Sequence, residues 1–141
     1  MKIKNVNLSN DPEIKTQPVF NEDNKDTIAK KQKKQFITDT SSMLKVTFED
    51  DTALYLYAPK GYDYDGATIP FGIGKGNMKL LIPALFHDIM CDKKEIINYN
   101  RELSSKIFYE CLVYCHVNKI IAGVMYLFVD NFQKFQDWGR K

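Results

Sequence analysis

Cysteine is scarce in this chain of 141 residues: there are three, an odd number, and none is spaced as in a small disulfide scaffold. That usage excludes a cross-linked secreted fold and suits a reducing compartment. Charge of one sign is also lacking. Twenty Lys and Arg face 18 Asp and Glu, and the resulting +2 gives no bulk pull toward nucleic acid or a membrane surface. Long apolar runs are missing too. The longest, Ile120 to Val129, is about half of the roughly 20 residues that cross a bilayer, so no membrane span is expected. The N-terminal stretch MKIKNVNLSNDPEIK has no continuous apolar core of a signal peptide, and the protein is expected to stay where it is made or to leave by lysis. Glycines at 72, 74 and 76 suggest a phosphate loop, but Gly76 and Asn77 follow Lys75 where a Ser or Thr is needed. No internal repeat is present.

What is present fits one domain of ordinary size with a single core. Residues 1–35 are rich in Asn, Asp, Lys and Gln, contain Pro12 and Pro18, and show no useful period, which predicts an extended or disordered polar arm. Lys30, Lys31, Lys33 and Lys34 form a basic block within it. A short block without interleaved aromatics is more simply a solvated charge run than a nucleic-acid site, so nucleic acid is not an expected partner.

Residues 36–141 read as one α+β domain. Leu44, Val46 and Phe48 alternate with Lys45, Thr47 and Glu49, and Leu54 and Leu56 alternate with Tyr55 and Tyr57. With the turn-forming Asp50, Asp51 and Thr52 between them, the two runs predict a β-hairpin that ends at Pro59 and Gly61. A helix is expected to begin between Asn77 and Pro83 and to end near Asp92, because Pro83 belongs in a first turn or at a kink. Asn98 or Asn100 is placed to cap a second helix carrying Leu103, Ile107, Phe108, Cys111, Leu112 and Cys115. Asn118 is placed to cap a third, in which Ile121, Val124, Met125, Phe128, Phe132 and Phe135 recur at helical intervals. Gly139 is placed to stop it. Strands followed by helices predict a small antiparallel hairpin or sheet packed on a core of three helices.

Polar chemistry concentrates between Gly61 and Asp92. His87 shares a helix face with Leu80, Ala84 and Cys91, and Asp88 shares a stripe with Leu81, Ala84, Leu85 and Asp92. A polar pair in so apolar a setting is costly to bury without hydrogen bonds. Two readings follow. His87 is a general base or metal ligand beside a metal-binding Asp88, or the pair is structural, with Asp88 pinning the glycine-rich loop and His87 bridging elements of the core. Neighbouring helical residues diverge by about 100°, so Asp88 is not placed to orient the His87 ring. Asp65, before Gly66, Ala67, Thr68, Ile69 and Pro70, is placed either to accept loop amides or to share a cleft with His87. Cys91, Cys111, Cys115 and His87 are a possible Zn²⁺ set by ligand type, although buried cysteines often only pack.

The runs LYLYAPKGYDYDGATIP, PALFHDIMCDKK and NRELSSKIFYECL resemble the "domain of unknown function 1353" family, found mostly in phages and prophages. The matching residues are Gly61, Asp65, Ala67, Thr68, Pro70, His87, Asp88 and Arg101, and the closing helix with Met125, Phe132 and Trp138 fits as well. Ser105 departs from the pattern, standing where the family has an Asp four residues after the Arg. A more distant likeness is to the calcium-dependent phospholipase A2 helix, which would make Asp88, Gly72, Gly74 and Gly76 a Ca²⁺ cradle. The resemblance implies a phage origin; Ser105 in place of the carboxylate, together with the polar arm, favours a phage-encoded accessory or virion-associated protein, non-enzymatic, in the host cytoplasm or the virion. Its arm would meet a phage structural or host protein, and no cofactor is expected. The alternative is a His-Asp hydrolase, with Ca²⁺ or Zn²⁺ possible: His87 as base, Asp88 and Asp65 as ligand or orienter, and Arg101 as anion stabiliser.

Overall fold

A computed structural model of the chain describes residues 2–16, 36–64 and 78–135. Six strands precede three helices: β1 (Ile3–Leu8), β2 (Ile14–Thr16), β3 (Phe36–Thr38), β4 (Ser42–Phe48), β5 (Ala53–Ala58), β6 (Asp63–Tyr64), α1 (Met78–Asp92), a 3-10 turn (Lys94–Ile97), α2 (Arg101–Tyr114) and α3 (Lys119–Phe135). The strands form two antiparallel three-stranded sheets, ordered β1-β4-β5 and β2-β3-β6. The fold is α+β, as the order of patterns predicts.

The expected hairpin is β4–β5, with Leu44 opposite Leu56 and Lys45 opposite Tyr55. Leu44, Val46 and Leu56 are fully buried, while Tyr55 and Tyr57 face outward. Its turn is closed by the Asp50 carboxylate, which accepts from the Thr52 amide at 3.1 Å and the Thr52 hydroxyl at 2.6 Å.

The first residues carry more regular structure than their composition suggests. β1 pairs with β4 along its length, and Val6 and Leu8 are buried. Its period is hidden in the sequence because the register shifts between Ile3 and Asn5. The additional residue, Lys4, returns Ile3 to the face of Val6 and Leu8, from which a strict two-residue period would exclude it. Tyr114 of α2 secures the strand, donating to Asn7 Oδ1 at 2.9 Å and accepting from the Leu8 amide at 3.3 Å. The basic block at 30–34 lies outside the described residues.

Helix α2 is the middle layer, packing on α1, α3 and β1. Asn100 caps it, its Oδ1 accepting from the Leu103 amide at 3.0 Å. Ile107, Phe108, Cys111 and Leu112 belong to the same core as Ala84, Leu85 and Met90 of α1. Each fully buried Leu, Ile or Phe contributes about 1.5–3 kcal/mol. Pro83 stands inside α1 rather than in its first turn, and lacking an amide proton it donates no hydrogen bond to the preceding turn. Asn118 caps α3, accepting from the Ile120 amide at 2.8 Å.

The stripe expected on α3 does not face the core as a unit. Met125 is buried, but Ile121, Val124 and Phe128 are exposed, and the helix packs inward through Ala122, Met125 and Val129. The side chains of Phe132 and Phe135 lie outside the described residues, as do Trp138 and Gly139.

Candidate functional site

The polar residues around α1 are positioned by the turn between β5 and β6. Gly61 adopts φ +86°, a left-handed conformation that a side chain would strain. Thr38, 2% exposed, locks this turn from β3. Its hydroxyl donates to the Pro59 carbonyl at 2.7 Å and accepts from the Tyr62 amide at 2.9 Å. Its own amide and carbonyl bond the Tyr62 carbonyl and the Gly61 amide. The Tyr62 ring is thereby aimed at the last two turns of α1.

There its hydroxyl lies 2.8 Å from Asp88 Oδ2 and within hydrogen-bond distance of Asp92 Oδ2. Asp88 and Asp92 are one helical turn apart, so both carboxylates rise from the same stripe. One hydroxyl has one proton, and it can donate to only one of them at a time. Burial, followed by the hydrogen bonds to Asp92 and Asp88, pushes ionisation of Tyr62 far above the usual tyrosine range. Tyr64 follows the same direction, through burial and the nearby Asp88 charge. Its hydroxyl is bonded to the Leu81 carbonyl at 3.0 Å, two residues before Pro83.

His87 points elsewhere. It is 5% exposed and packs on Phe108 of α2, with ring centroids 5.1 Å apart and planes tilted by 52°. Cys91 Sγ lies 3.8 Å from Nδ1 and 4.0 Å from Nε2, a loose sulfur contact along the helix.

Arg101 belongs to a third cluster, between α2 and α3. It donates to the Asp130 carboxylate, and its side chain is 19% exposed against 17% for Asp130. Ser105 Oγ donates to the same Asp130 Oδ1 at 3.0 Å. Thus Ser105 and Arg101 meet at one carboxylate, which α3 supplies. Among the described residues Arg101 reaches Asp130 and, at 4.0 Å, Glu102, not His87 or Asp88.

Asp65, Gly72, Gly74 and Gly76 lie outside the described residues. Among the described residues no group of three or more His, Cys, Asp or Glu is arranged to hold a metal ion. Cys91 sits with His87, whereas Cys111 and Cys115 pair with each other on α2. Their thiol hydrogen bond holds Cys115 below the ordinary thiol range and pushes Cys111 above it, with burial adding to the rise at Cys111.

Tyr62, Thr38 and Asp130 were not singled out from sequence. Tyr62 follows the glycine that ends the hairpin, and Asp92 shares Asp88's stripe, so part of that cluster had a local signal. Asp130, 29 residues from its arginine, had none.

Two small antiparallel sheets, three helices and a polar knot where the β5–β6 turn meets the exit of α1 define the class: an α+β domain with its ionisable residues tied between elements. The model of the family described as "Protein of unknown function (DUF1353)" matches residues 43–129, well over half of the chain, and the chain belongs to this family. The match ends before Phe132 and Trp138. No curated protein and no solved structure matches the chain. No helix among the described residues is long and apolar enough to cross a membrane.

Proposed function

We propose that this is a phage-encoded accessory or virion-associated protein that works by binding, in the host cytoplasm or the virion, and that its His-Asp pair maintains the fold. The observation that carries this reading is the divergence of the pair. His87 is buried against Phe108 and Cys91, while Asp88 turns to Tyr62, so the two side chains do not act on one point. Arg101, which a hydrolase would use to stabilise an anion, is engaged by Asp130. Among the described residues, cavities of about 270, 720 and 210 Å³ are lined by residues other than His87, Asp88 and Arg101. The N-terminal residues would supply the contact with a phage structural or host protein.

A metal-dependent hydrolase is the second reading, favoured by one feature: two carboxylates, Asp88 and Asp92, converge on a single hydroxyl. Neutralising that excess negative charge is a task a Ca²⁺ ion suits.

Titration of the purified protein with Ca²⁺ and Zn²⁺, alongside thermal unfolding of His87→Ala and Asp88→Asn, separates the two. Two less stable variants and no stoichiometric metal binding by the wild type are the expected outcome. Stoichiometric binding that Asp88→Asn abolishes without loss of stability would replace the binding reading with the hydrolase one.

A further inference from the structure

The cavity of about 720 Å³ lies where the chain after β1, the start of α1 and the end of α2 come together, and a thiol stands in its wall. Asp11 follows β1, Lys79 and Ile82 belong to α1, and Tyr114, Cys115 and His116 close α2. Its volume is that of a small-molecule site, roughly 300–1,000 Å³. One wall is fixed by Tyr114, whose hydroxyl is bonded to Asn7 and to the Leu8 amide.

The end of α2 decides which of its two thiols reaches this space. The His116 amide donates to the Val113 carbonyl at 2.9 Å and the Val117 amide to the Leu112 carbonyl at 3.0 Å, the paired bonds of a Schellman cap. His116 takes the left-handed position of that cap, with φ +69°, where glycine is usual. The helix therefore stops at Cys115, which is left half-buried on the cavity, while Cys111, one turn earlier, is 1% exposed. The Cys111 thiol donates to the Cys115 sulfur, which holds Cys115 below the ordinary thiol range. A sulfur that receives such a bond is favoured as thiolate, the nucleophilic form. Lys79 and Asp11 bring charges of opposite sign to the same cavity, with the His116 imidazole beside them. An amino acid or short peptide carries both signs in the same way, in its carboxylate and its ammonium group.

We infer that Cys115 is a modification site, at which a low-molecular-weight thiol of the amino-acid or short-peptide class is held in the cavity as a mixed disulfide. The Cys115 thiolate attacks one sulfur of the corresponding small disulfide. The new S–S bond forms as the old one breaks, and the second half leaves as a thiolate. Cys115 is oxidised and the leaving half reduced; the proton lost by one thiol and the proton gained by the other are exchanged with water. Cys111 positions and does not resolve. Cβ atoms one helical turn apart stand about 5–6 Å from each other, whereas a disulfide spans roughly 3.5–4.5 Å. The Cys115 amide holds that turn closed through its bond to the Cys111 carbonyl at 2.9 Å, so the mixed disulfide is the end product.

The test incubates the reduced full chain at neutral pH with excess glutathione disulfide, then reads intact mass and peptide maps without reduction. One glutathionyl group per chain is expected, on Cys115 and removable by dithiothreitol. Cys115→Ser, verified as folded by an unchanged near-UV circular dichroism spectrum, should lose it. Cys111→Ala should slow the reaction about threefold, since the loss of thiolate outweighs the gain in intrinsic nucleophilicity. Cys111→Ser, which keeps a donor in place, should restore the wild-type rate. Native Cys115 should also react faster than the same cysteine in the urea-unfolded chain. A chain that stays unmodified overturns the inference, as does an adduct that prefers Cys91 or a native Cys115 no faster than the unfolded one. A Cys111–Cys115 disulfide in place of the adduct overturns the mixed disulfide as product, and equal rates for Cys111→Ala and wild type overturn the role of Cys111.

Discussion

Helices α1 and α3 are of similar length and both rich in large apolar residues, yet the fold uses them differently. Every residue from Leu80 to His87 in α1 is buried, with Ile89 and Met90 beyond them. Among the described side chains of α3 the buried positions are Ala122, Met125 and Val129, while Ile120, Ile121, Val124 and Leu127 face out. A helix apolar all round belongs in a core, whereas one with a single covered face leaves its remaining apolar surface for something else. The contrast shows that apolar content says how much surface a helix wants to bury, and that its position in the stack decides how much the monomer buries.

The contrast breaks most directly at one leucine in each helix. Leu85→Ala in α1 is expected to lower folding stability by about 2–5 kcal/mol, through lost burial and the cavity left behind. Leu127→Ala in α3 is expected to change it by less than about 0.5 kcal/mol, measured by urea unfolding. Equal costs would mean that the outer face of α3 is covered within a single chain.

A smaller effect sharpens the account of how α3 is held. The Arg101–Asp130 pair joins α3 to α2 with little exposure, so Arg101→Ala, which leaves Asp130 only Ser105, should cost about 1–3 kcal/mol. The double variant Arg101→Met, Asp130→Leu should cost less than the sum of the single changes, since neither charge is then left without its partner.

The tie between α1 and the β5–β6 turn is weaker still. Tyr62→Phe should cost about 1 kcal/mol, the value of a typical hydrogen bond. Its signature is at high pH. Because the fold raises the pKa of Tyr62 above its ordinary value of 10.0, the native state holds that proton more tightly than the unfolded chain. The stability this contributes is complete below about pH 10 and is lost as pH rises beyond it. Unfolding temperatures of the wild type should therefore fall above pH 10, and those of Tyr62→Phe should fall less steeply; Tyr64, shifted in the same direction, keeps part of the slope in both. Parallel curves would remove Tyr62 from the account.

The smallest change expected is at Asp92, the exposed end of α1. Since Tyr62 can donate to Asp88 when Asp92 does not accept, Asp92→Asn should shift stability by no more than about 0.5 kcal/mol in thermal unfolding. A loss matching that of Tyr62→Phe would assign the tyrosine's proton to Asp92.

How far the fold was legible depended on how local its causes were. The β4–β5 hairpin could be read from Leu44, Val46, Leu54 and Leu56, because a period of two in one segment already states which face is wet. The caps at Asn100 and Asn118 were equally local. Strand β1 was not legible, since Lys4 at the bulge breaks the period on which such reading depends. The candidate site divided in the same way. The 100° divergence of His87 and Asp88 follows from helix geometry alone, but the ring that His87 rests on, Phe108, comes from another helix. The carboxylate opposite Ser105 and Arg101 comes from a third.

By itself the sequence determined the class of the fold, the hairpin and its turn, the capped starts of α2 and α3, and the family to which the chain belongs. These depend on contacts between residues near one another along the chain, where spacing dictates geometry. Only the tertiary structure decided which face of α3 is inside, that Thr38 locks the turn carrying Tyr62, and that Asp130 receives Arg101. Those depend on which elements become neighbours, and residues 24 or 29 positions apart carry no mark of each other until packing brings them together.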